Sequence, residues 1–286
     1  MKLVQSIEAE VAIFGFGSIT KSIITSLQKT NTSIICVTNN GYSQIENNGF
    51  RNIQFLTRAE IIKTELHSKK VLFSWRNVDP LLQNSGKLKE WLKSSRFISN
   101  QSFLLSSASV YASSNMAINE SQINLALNAP VNGKLSLEAS LIELMKGKSI
   151  FHSNLRISNA YGSELDYGFI AALRKAIDCQ TSVQLFEGRE IVRDYISITD
   201  IVFAIDQILA AEFSYSNINI STGRGNSIAQ VLKIFEALGH LFGNRINVVP
   251  KSDIIGSSIL DCTLLASLID WKPRDLAQGI HEMLNL

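Results

Sequence analysis

The chain has 286 residues, of which 45% are hydrophobic and 18% are charged, and its formal net charge is +2. This length and apolar content suffice for one large core or for a core with a smaller appended lobe. The small basic excess is spread along the chain, which therefore lacks the concentrated positive charge of a nucleic-acid-binding protein.

Three cysteines stand far apart, at Cys36, Cys179 and Cys262. An odd number at such spacing indicates buried thiols in a reducing compartment. None of the histidines has a neighbouring Cys or His, so no metal-binding spacing is present. No apolar run reaches the roughly 18 to 20 residues of a membrane span, and acidic residues precede the first apolar run, which argues against a signal peptide. We expect a cytoplasmic protein without metal, membrane or nucleic-acid partners.

The first elements in chain order predict a βαβ unit. An apolar run at 11–14 stops at the turn Gly15-Phe16-Gly17, helical spacing follows over 18–29, and a second apolar run covers 33–37. The order is that of a strand, a glycine turn, a helix and a parallel strand.

The glycine turn predicts a dinucleotide site. Glycines there permit a tight turn and let the backbone approach a pyrophosphate, which lies at the N-terminus of the following helix. The residues of this turn and of the first helical turn that we expect to bind the cofactor are Gly15, Gly17, Ser18 and Ile19. The third small position is Thr20 rather than glycine, so the helix and the strand are expected to pack slightly further apart.

The end of the second predicted strand leaves the choice between NAD and NADP open. An acidic residue there would hydrogen-bond the ribose hydroxyls of NAD, but the sequence has Thr38-Asn39. A neutral pair is compatible with a 2′-phosphate, yet no arginine stands beside it. We expect Thr38 and Asn39 to line the cofactor site in either case.

Strands and helices go on alternating through the first half of the chain. Apolar runs predict strands at 70–74, 102–106 and 149–155, and helical spacing predicts helices at 88–93 and 135–145. This alternation predicts an α/β fold with a Rossmann-type, doubly wound, mostly parallel sheet.

The pattern is less regular beyond residue 162. It predicts helices and short strands that together form a smaller lobe. The predicted helices are 169–177, 227–242 and 276–286, and the predicted strands are 182–186 and 246–249. We therefore predict a dinucleotide-binding domain over 1–162 and a mainly substrate-binding lobe over 163–286, some segments of which return to the first domain.

Several segments, taken in order, resemble the signatures of one family. They are Leu104-Leu-Ser-Ser-Ala-Ser-Val-Tyr111, Leu155-Arg-Ile-Ser-Asn-Ala-Tyr-Gly162, Arg193-Asp-Tyr-Ile-Ser-Ile-Thr-Asp200, Asn219-Ile-Ser-Thr-Gly-Arg-Gly-Asn-Ser-Ile228 and Leu268-Ile-Asp-Trp-Lys-Pro273. The chain resembles the NAD-dependent epimerase/dehydratase family, the extended short-chain dehydrogenases that act on nucleotide sugars. The matching segments span nearly the whole chain.

The resemblance implies roles for residues in these segments. Ser106 would belong to the cofactor site, and Ser107 would hydrogen-bond the reacting hydroxyl or ketone. Asn159, Tyr161 and Arg193 would bind the nucleotide sugar, Arg193 through the charged fork that it offers to a diphosphate. The alternatives are a strand-end cap or turn former for Asn159, a half-buried core tyrosine for Tyr161, and a salt bridge with Asp194 or Asp200 for Arg193.

The family's catalytic tyrosine and lysine, four residues apart, are missing from the one candidate segment, 129–137. It puts Asn132 at the tyrosine position and Ser136 at the lysine position. An amide does not titrate near neutral pH, so Asn132 is no acid/base. Lys134 would point to a different helical face from Asn132, which makes it a poor replacement.

Three interpretations follow. The resemblance implies an NAD(P)-dependent epimerase, dehydratase or reductase that acts on a nucleotide-activated sugar in polysaccharide biosynthesis, with the acid/base role moved to Tyr111, Tyr161 or water. The alternative is a non-catalytic protein that binds the cofactor or the nucleotide sugar as a sensor or partner subunit. The third is that the alignment of the 129–137 segment is displaced by several residues. A homodimer is implied only by analogy with the family.

Overall fold

A computed structural model describes residues 5–38, 50–75, 85–114, 116–122, 129–185, 190–249 and 257–285. The side chains of 85–86, 129–132 and Asn244 lie outside this description. Two predicted site positions are affected by these limits. Asn39 falls outside the described residues, and Asn132 is described by its backbone alone.

Seven strands form the main sheet: β1 (Gln5–Phe14), β2 (Ile34–Thr38), β3 (Ile53–Thr57), β4 (Thr64–Phe73), β5 (Arg96–Ser107), β6 (Phe151–Ile157) and β10 (Asn217–Ile220). Their order is β3-β2-β1-β4-β5-β6-β10. The pairs β1–β2, β2–β3, β1–β4 and β4–β5 are parallel. The strand order changes direction between β1 and β4, the point where such sheets bind ligands at their carboxyl ends. The predicted α/β fold with a Rossmann-type parallel sheet is confirmed.

Two smaller sheets complete the strands. One has the order β11-β9-β7 and the other pairs β12 with β8; their bounds are β7 (Asn159–Tyr161), β8 (Val183–Leu185), β9 (Val192–Ser197), β11 (Gly225–Ser227) and β12 (Ile246–Val248). The helices are α1 (Ser18–Leu27), α2 (Arg58–Ile61), α3 (Ser85–Ser94), α4 (Ala129–Gly147), α5 (Phe169–Cys179), α6 (Ile198–Ala210), α7 (Ile228–Ala237), α8 (Thr263–Leu268) and α9 (Leu276–Met283).

The three central strands are longer than the sequence predicts. In β1 only the last four residues, 11–14, are fully buried, and the preceding polar residues are exposed or half-buried. The polar part nevertheless pairs in register with the first half of β4, from Gln5 opposite Thr64 onwards. Apolar runs therefore identify the buried halves of these strands, whereas backbone pairing extends them into polar sequence.

The chain forms two compact units, each built from separate segments. Unit 1 comprises 1–110, 127–156 and 205–218, and unit 2 comprises 111–126, 157–204 and 219–286. Each has its own apolar core, one around Phe14 and Phe73 and the other around Phe235. The predicted boundary after residue 162 falls inside a segment of unit 2, and the substrate-binding role of the second lobe stays a prediction.

The three cysteines are free but differ in exposure. Cys36 is buried in β2, and burial raises the pKa of its thiol to about 12. Cys262 is half-buried, and Cys179 is exposed at the end of α5. The expectation of buried thiols is therefore wrong for Cys179, because the last turn of an amphipathic helix leaves its outer face in water. Within the described ranges no helix is long and apolar enough to cross a membrane.

Candidate functional site

Gly15 forms a turn that only glycine can form. Its φ is +110°, and a Cβ at this position would overlap the carbonyl oxygen of Ser74. Backbone hydrogen bonds connect the turn to both neighbouring strands. The Gly15 N–H donates to the Val37 oxygen of β2 at 2.9 Å, and the N–H of Ser74, just after β4, donates to the Phe14 oxygen at 2.8 Å. The backbone of β1 can therefore lie close against the end of β4 only because Gly15 has no side chain.

Gly17 has a different role, because it has space around it. It is the N-cap of α1 with an extended φ of −130°, and a Cβ there would meet no atom within 4 Å. No side chain caps this helix and no acidic residue stands in its first turn, which holds the half-buried Ser18 and Ile19. Uncapped N–H groups at the positive end of a helix are suited to an anion.

Thr20 fills the third small position of the turn with a hydrogen bond. Its buried hydroxyl donates to the Ser74 Oγ at 2.7 Å, which ties α1 to the end of β4. Thr38 is buried at the end of β2. Sequence reasoning missed Lys21, whose ammonium lies 5.2 Å from the centre of the Phe16 ring. A positive charge therefore stands beside the glycine turn.

A buried polar cluster joins the ends of β5 and β6 to α4. Ser106 donates to Glu138, and Arg156 binds both oxygens of the same carboxylate, Nη2 to Oε2 at 2.7 Å and Nε to Oε1 at 3.3 Å. All three side chains are buried. The two-point geometry satisfies the buried charges of Glu138 and Arg156. The hydroxyl proton of Ser106 is engaged by Glu138, so its predicted cofactor contact stays a prediction.

Lys134 and Ser136 lie on different faces of α4. Ser136 is exposed, whereas Lys134 is half-buried and stands one helical turn before Glu138. Burial lowers the pKa of Lys134, and the charge of Glu138 opposes that shift. Ser107 ends β5 and is half-buried; its Oγ accepts the Ser109 N–H at 3.2 Å. The face of α4 that turns toward the end of β5 therefore carries Lys134 and not Ser136.

Both tyrosines considered as replacement acid/base groups are core residues of unit 2. The hydroxyl of Tyr111, which is buried, donates to the Asn219 Oδ1 at 2.9 Å. Tyr161 is 3% exposed, and a Cβ at Gly279 of α9 would overlap its hydroxyl. Burial, reinforced by the charge of Asp200, raises the pKa of Tyr161 above its ordinary range. A phenol held in this way is a poor group for proton exchange near neutral pH.

The two other residues predicted to bind the substrate lie at β9: Arg193 belongs to this strand, and Asn159 is hydrogen-bonded to it. Asn159 donates from its amide to the Asp194 carbonyl oxygen at 3.0 Å. Arg193 is largely buried and donates to the Val192 oxygen at 3.1 Å. Their predicted contacts with a nucleotide sugar stay predictions.

Sequence reasoning missed the importance of Asp194. Its buried carboxylate accepts the Thr222 hydroxyl at 2.8 Å and the Thr222 and Gly223 N–H groups at 3.1 and 3.0 Å. Burial raises the pKa of Asp194, and these hydrogen bonds oppose that shift. The carboxylate thereby fixes the loop after β10, which displays Arg224 on the surface.

A seven-stranded, largely parallel sheet with an open glycine turn beside its change of direction defines a Rossmann-type α/β protein. The model of the NAD dependent epimerase/dehydratase family matches residues 86–221. The predicted resemblance to that family is thereby confirmed for this segment, which contains α4, the buried cluster and the Arg193-Asp194 pair. No curated protein sequence matches the chain.

Solved structures with the same fold include three nucleotide-sugar enzymes. UDP-glucuronic acid 4-epimerase from Bacillus cereus, solved with UDP-glucuronic acid and NAD, has a TM-score of 0.77 at 16% identity, covering 96% of this chain and 98% of that one. UDP-glucose 4-epimerase from Thermotoga maritima, solved with UDP-glucose, has 0.76 at 20%, covering 96% and 97%. dTDP-glucose 4,6-dehydratase from Bacillus anthracis, solved with NAD, has 0.77 at 20%, covering 97% and 96%. At these identities the likeness establishes the fold and leaves the reaction open.

Proposed function

We propose that this protein binds NAD or NADP at the Gly15–Gly17 turn and acts as an epimerase, dehydratase or reductase on a nucleotide-activated sugar. The observation that carries the proposal is the contrast between the two glycines. Gly15 is needed to pack the backbone, whereas Gly17 leaves open space at an uncapped helix N-terminus. A pyrophosphate fits both the space and the polarity of this turn.

The residues around the turn fit a dinucleotide. The N–H groups of Ser18 and Ile19 would hold the pyrophosphate, and the positive charge of Lys21 would stand close to it. Thr38 and Asn39 would lie beside the adenosine ribose, where the absence of an acidic residue leaves room for NADP as well as NAD. A bound nicotinamide would supply hydride transfer to and from carbon.

Lys134 is a better candidate than Ser136 for the lysine position of the site. It lies on the face of α4 that carries Glu138, and Glu138 is bonded to Ser106 at the end of β5. Ser136 points away from that strand end into solvent. This supports the third interpretation, a displaced alignment, in which Lys134 would take the family's lysine position and Pro130, four residues before it, would stand at the tyrosine position.

For the nucleotide sugar we propose contacts with unit 2. Arg193 would pair its guanidinium with the diphosphate, and Asn159 would contact the sugar or phosphate. The Asp194 hydrogen bonds hold the neighbouring loop rigid, which would keep Arg224 in a fixed position for the same ligand. Ser107 would hydrogen-bond the reacting hydroxyl or ketone.

A second candidate, a non-catalytic binding protein of the same fold, is favoured by one observation. Neither Tyr111 nor Tyr161 is placed to exchange a proton with a ligand, because both hydroxyls are enclosed in the core of unit 2. Such a protein would bind the cofactor or the nucleotide sugar and leave both unchanged.

Ligand binding and turnover separate the two candidates. NADH and NADPH are each titrated into the protein while its intrinsic tryptophan fluorescence and its thermal midpoint are followed; binding should raise the midpoint. The oxidation of the bound reduced cofactor is then followed with 4-keto nucleotide sugars. Oxidation supports the enzyme, and tight binding without oxidation across a panel of sugars supports the binding protein. If neither cofactor binds, the proposed function is wrong.

A further inference from the structure

The Lys134 ammonium is a half-buried charge without a dedicated partner. Among the residues that the structure describes, it makes no hydrogen bond and no ion pair. The nearest acid, Glu138, is one turn further along α4, and both of its oxygens are taken by Arg156. An ammonium in such a position loses hydration without gaining a full counter-ion, and its proton is held less firmly.

The surroundings of Lys134 place it where a reacting group would be needed. The Ser106–Glu138 hydrogen bond brings this face of α4 to the carboxyl end of β5, and Ser107 is the last residue of that strand. Ligands of parallel sheets bind at this edge. Lys134 lies one turn nearer the helix N-terminus than Glu138, on the same face of α4.

We propose that Lys134 is itself the proton donor and acceptor of the reaction, in the absence of a tyrosine for that task. This inference rests on the proposed function. In the reducing direction, the keto carbon of the sugar receives a hydride from the reduced dinucleotide, and the carbonyl oxygen receives a proton from the Lys134 ammonium. The products are the sugar alcohol, the oxidised dinucleotide and a neutral amine, which regains its proton from water.

The charged groups around Lys134 set the direction of its titration. Burial lowers the pKa of Lys134, and Glu138 partly offsets this. Arg156 of β6 limits the offset, because it is paired with the same carboxylate. Ser106 of β5 carries no charge, and the Lys89–Glu143 pair between α3 and α4 lies more than two helical turns further on. The amine should therefore titrate below the ordinary lysine range.

The first test uses Lys134→Arg. Arginine keeps the positive charge but does not give up a proton in the accessible pH range. We expect the variant to bind the reduced cofactor within about threefold of the wild-type Kd and to oxidise it with a keto sugar at least about 100-fold more slowly. Lys146→Arg, an exposed exchange on the same helix, is the matched control and should keep wild-type turnover.

The second test begins with a measurement that needs no turnover. Burial lowers the pKa of Lys134 and also that of Lys148. In cofactor-free protein labelled with ¹³C at the lysine ε-carbons, two signals should therefore titrate below the others, and the one that is missing from Lys134→Arg belongs to Lys134. In single turnovers of the wild type, hydride transfer should slow as pH rises through the midpoint of the Lys134 signal.

The outcomes distinguish the two proposals. Lys134→Arg turning over like the wild type, or wild-type hydride transfer without a pH-dependent limb, overturns the role of Lys134 and leaves the proposed function standing. A Lys134 signal that titrates together with those of the exposed lysines overturns it as well. If the wild type binds neither NADH nor NADPH, the proposed function itself is wrong.

Discussion

At the scale of single residues, two glycines separated by one position do opposite things. Gly15 has a left-handed φ and touches the backbone of β4, whereas Gly17 is extended and faces space. The sequence predicted both as parts of one turn. It could not tell which of them packs and which leaves room, because that depends on Ser74, which is distant in the chain.

Alanine at each glycine should separate stability from binding. Gly15→Ala should lower the free energy of unfolding by more than about 3 kcal/mol, because the new methyl group meets a carbonyl oxygen at a strained φ. Gly17→Ala should cost less than about 1 kcal/mol but weaken cofactor binding by about tenfold or more, since the methyl group takes up the space for the pyrophosphate. Urea unfolding and a fluorescence titration with NADH give the two quantities. Unchanged affinity in Gly17→Ala would remove the turn from the cofactor site.

Position 134 shows which part of the candidate site the sequence could predict and which part it could not. The family pattern was recognisable in the strands, where Ser106, Arg156 and Arg193 follow fixed neighbours. In α4 the alignment depends on a tyrosine that segment 129–137 does not contain, so the sequence alone places Asn132 and Ser136 at the tyrosine and lysine positions. The burial of Glu138 and its bond to Arg156 supply the missing reference point, because only one face of the helix can reach β6.

At the scale of elements, a chain of buried polar side chains joins β5, β6 and β10. The His152 Nδ1 lies 2.8 Å from the Ser102 Oγ, the His152 Nε2 lies 3.2 Å from the Asn154 Oδ1, and the Asn154 amide donates to the Asn217 Oδ1 at 3.1 Å. Burial lowers the pKa of His152 to about 4, from 6.5. The His152 imidazole, whose hydrogen bonds link these strands, is therefore uncharged at neutral pH.

His152 should make the protein lose stability in mild acid. As pH falls below 6.5 the unfolded histidine takes up a proton, whereas the folded one does so only near pH 4. The contribution of His152 to the free energy of unfolding is fully present above pH 6.5. About 3 kcal/mol of it is lost as the pH falls toward 4. His152→Gln does not titrate, so its unfolding free energy should fall by that much less over the same range. An equal fall in both proteins, measured by urea unfolding at each pH, would contradict the assignment.

At the scale of the whole molecule, the segment 205–218 returns to unit 1 after the chain has built much of unit 2. Several hydrogen bonds connect this segment to the rest of unit 1. The Ser26 hydroxyl donates to Asp206 at 2.5 Å, and the buried Lys70 ammonium donates to the Ala211 oxygen at 2.8 Å and to Glu212 at 3.0 Å. Local periodicity predicts helices and strands but carries no information on which distant sheet a segment joins. The sequence therefore could not predict this return in detail.

Lys70 should be essential for holding the returning segment. Its ammonium also donates to the buried Gln101, so Lys70→Met would leave several acceptors without a donor and should cost about 2 to 4 kcal/mol of unfolding free energy. Glu212→Gln is the matched control: the Glu212 side chain is 73% exposed, and its loss should cost less than about 1 kcal/mol. A Lys70→Met protein as stable as the control in urea would show that the segment is held without the Lys70 ammonium.

The position of β10 also has a consequence for the newly made chain. Of the seven strands of the main sheet, β10 comes last in the chain and lies at one edge; it begins only at Asn217. Its buried side chains include Ile218 and Ile220. During synthesis the ribosome must release most of the polypeptide before this strand can add to the sheet, so the partly finished sheet is left with an open edge while the chain grows. Unpaired strand edges attract other chains. The nascent protein should therefore be exposed to pairing with other chains over a longer interval than a protein whose sheet is completed in sequence order.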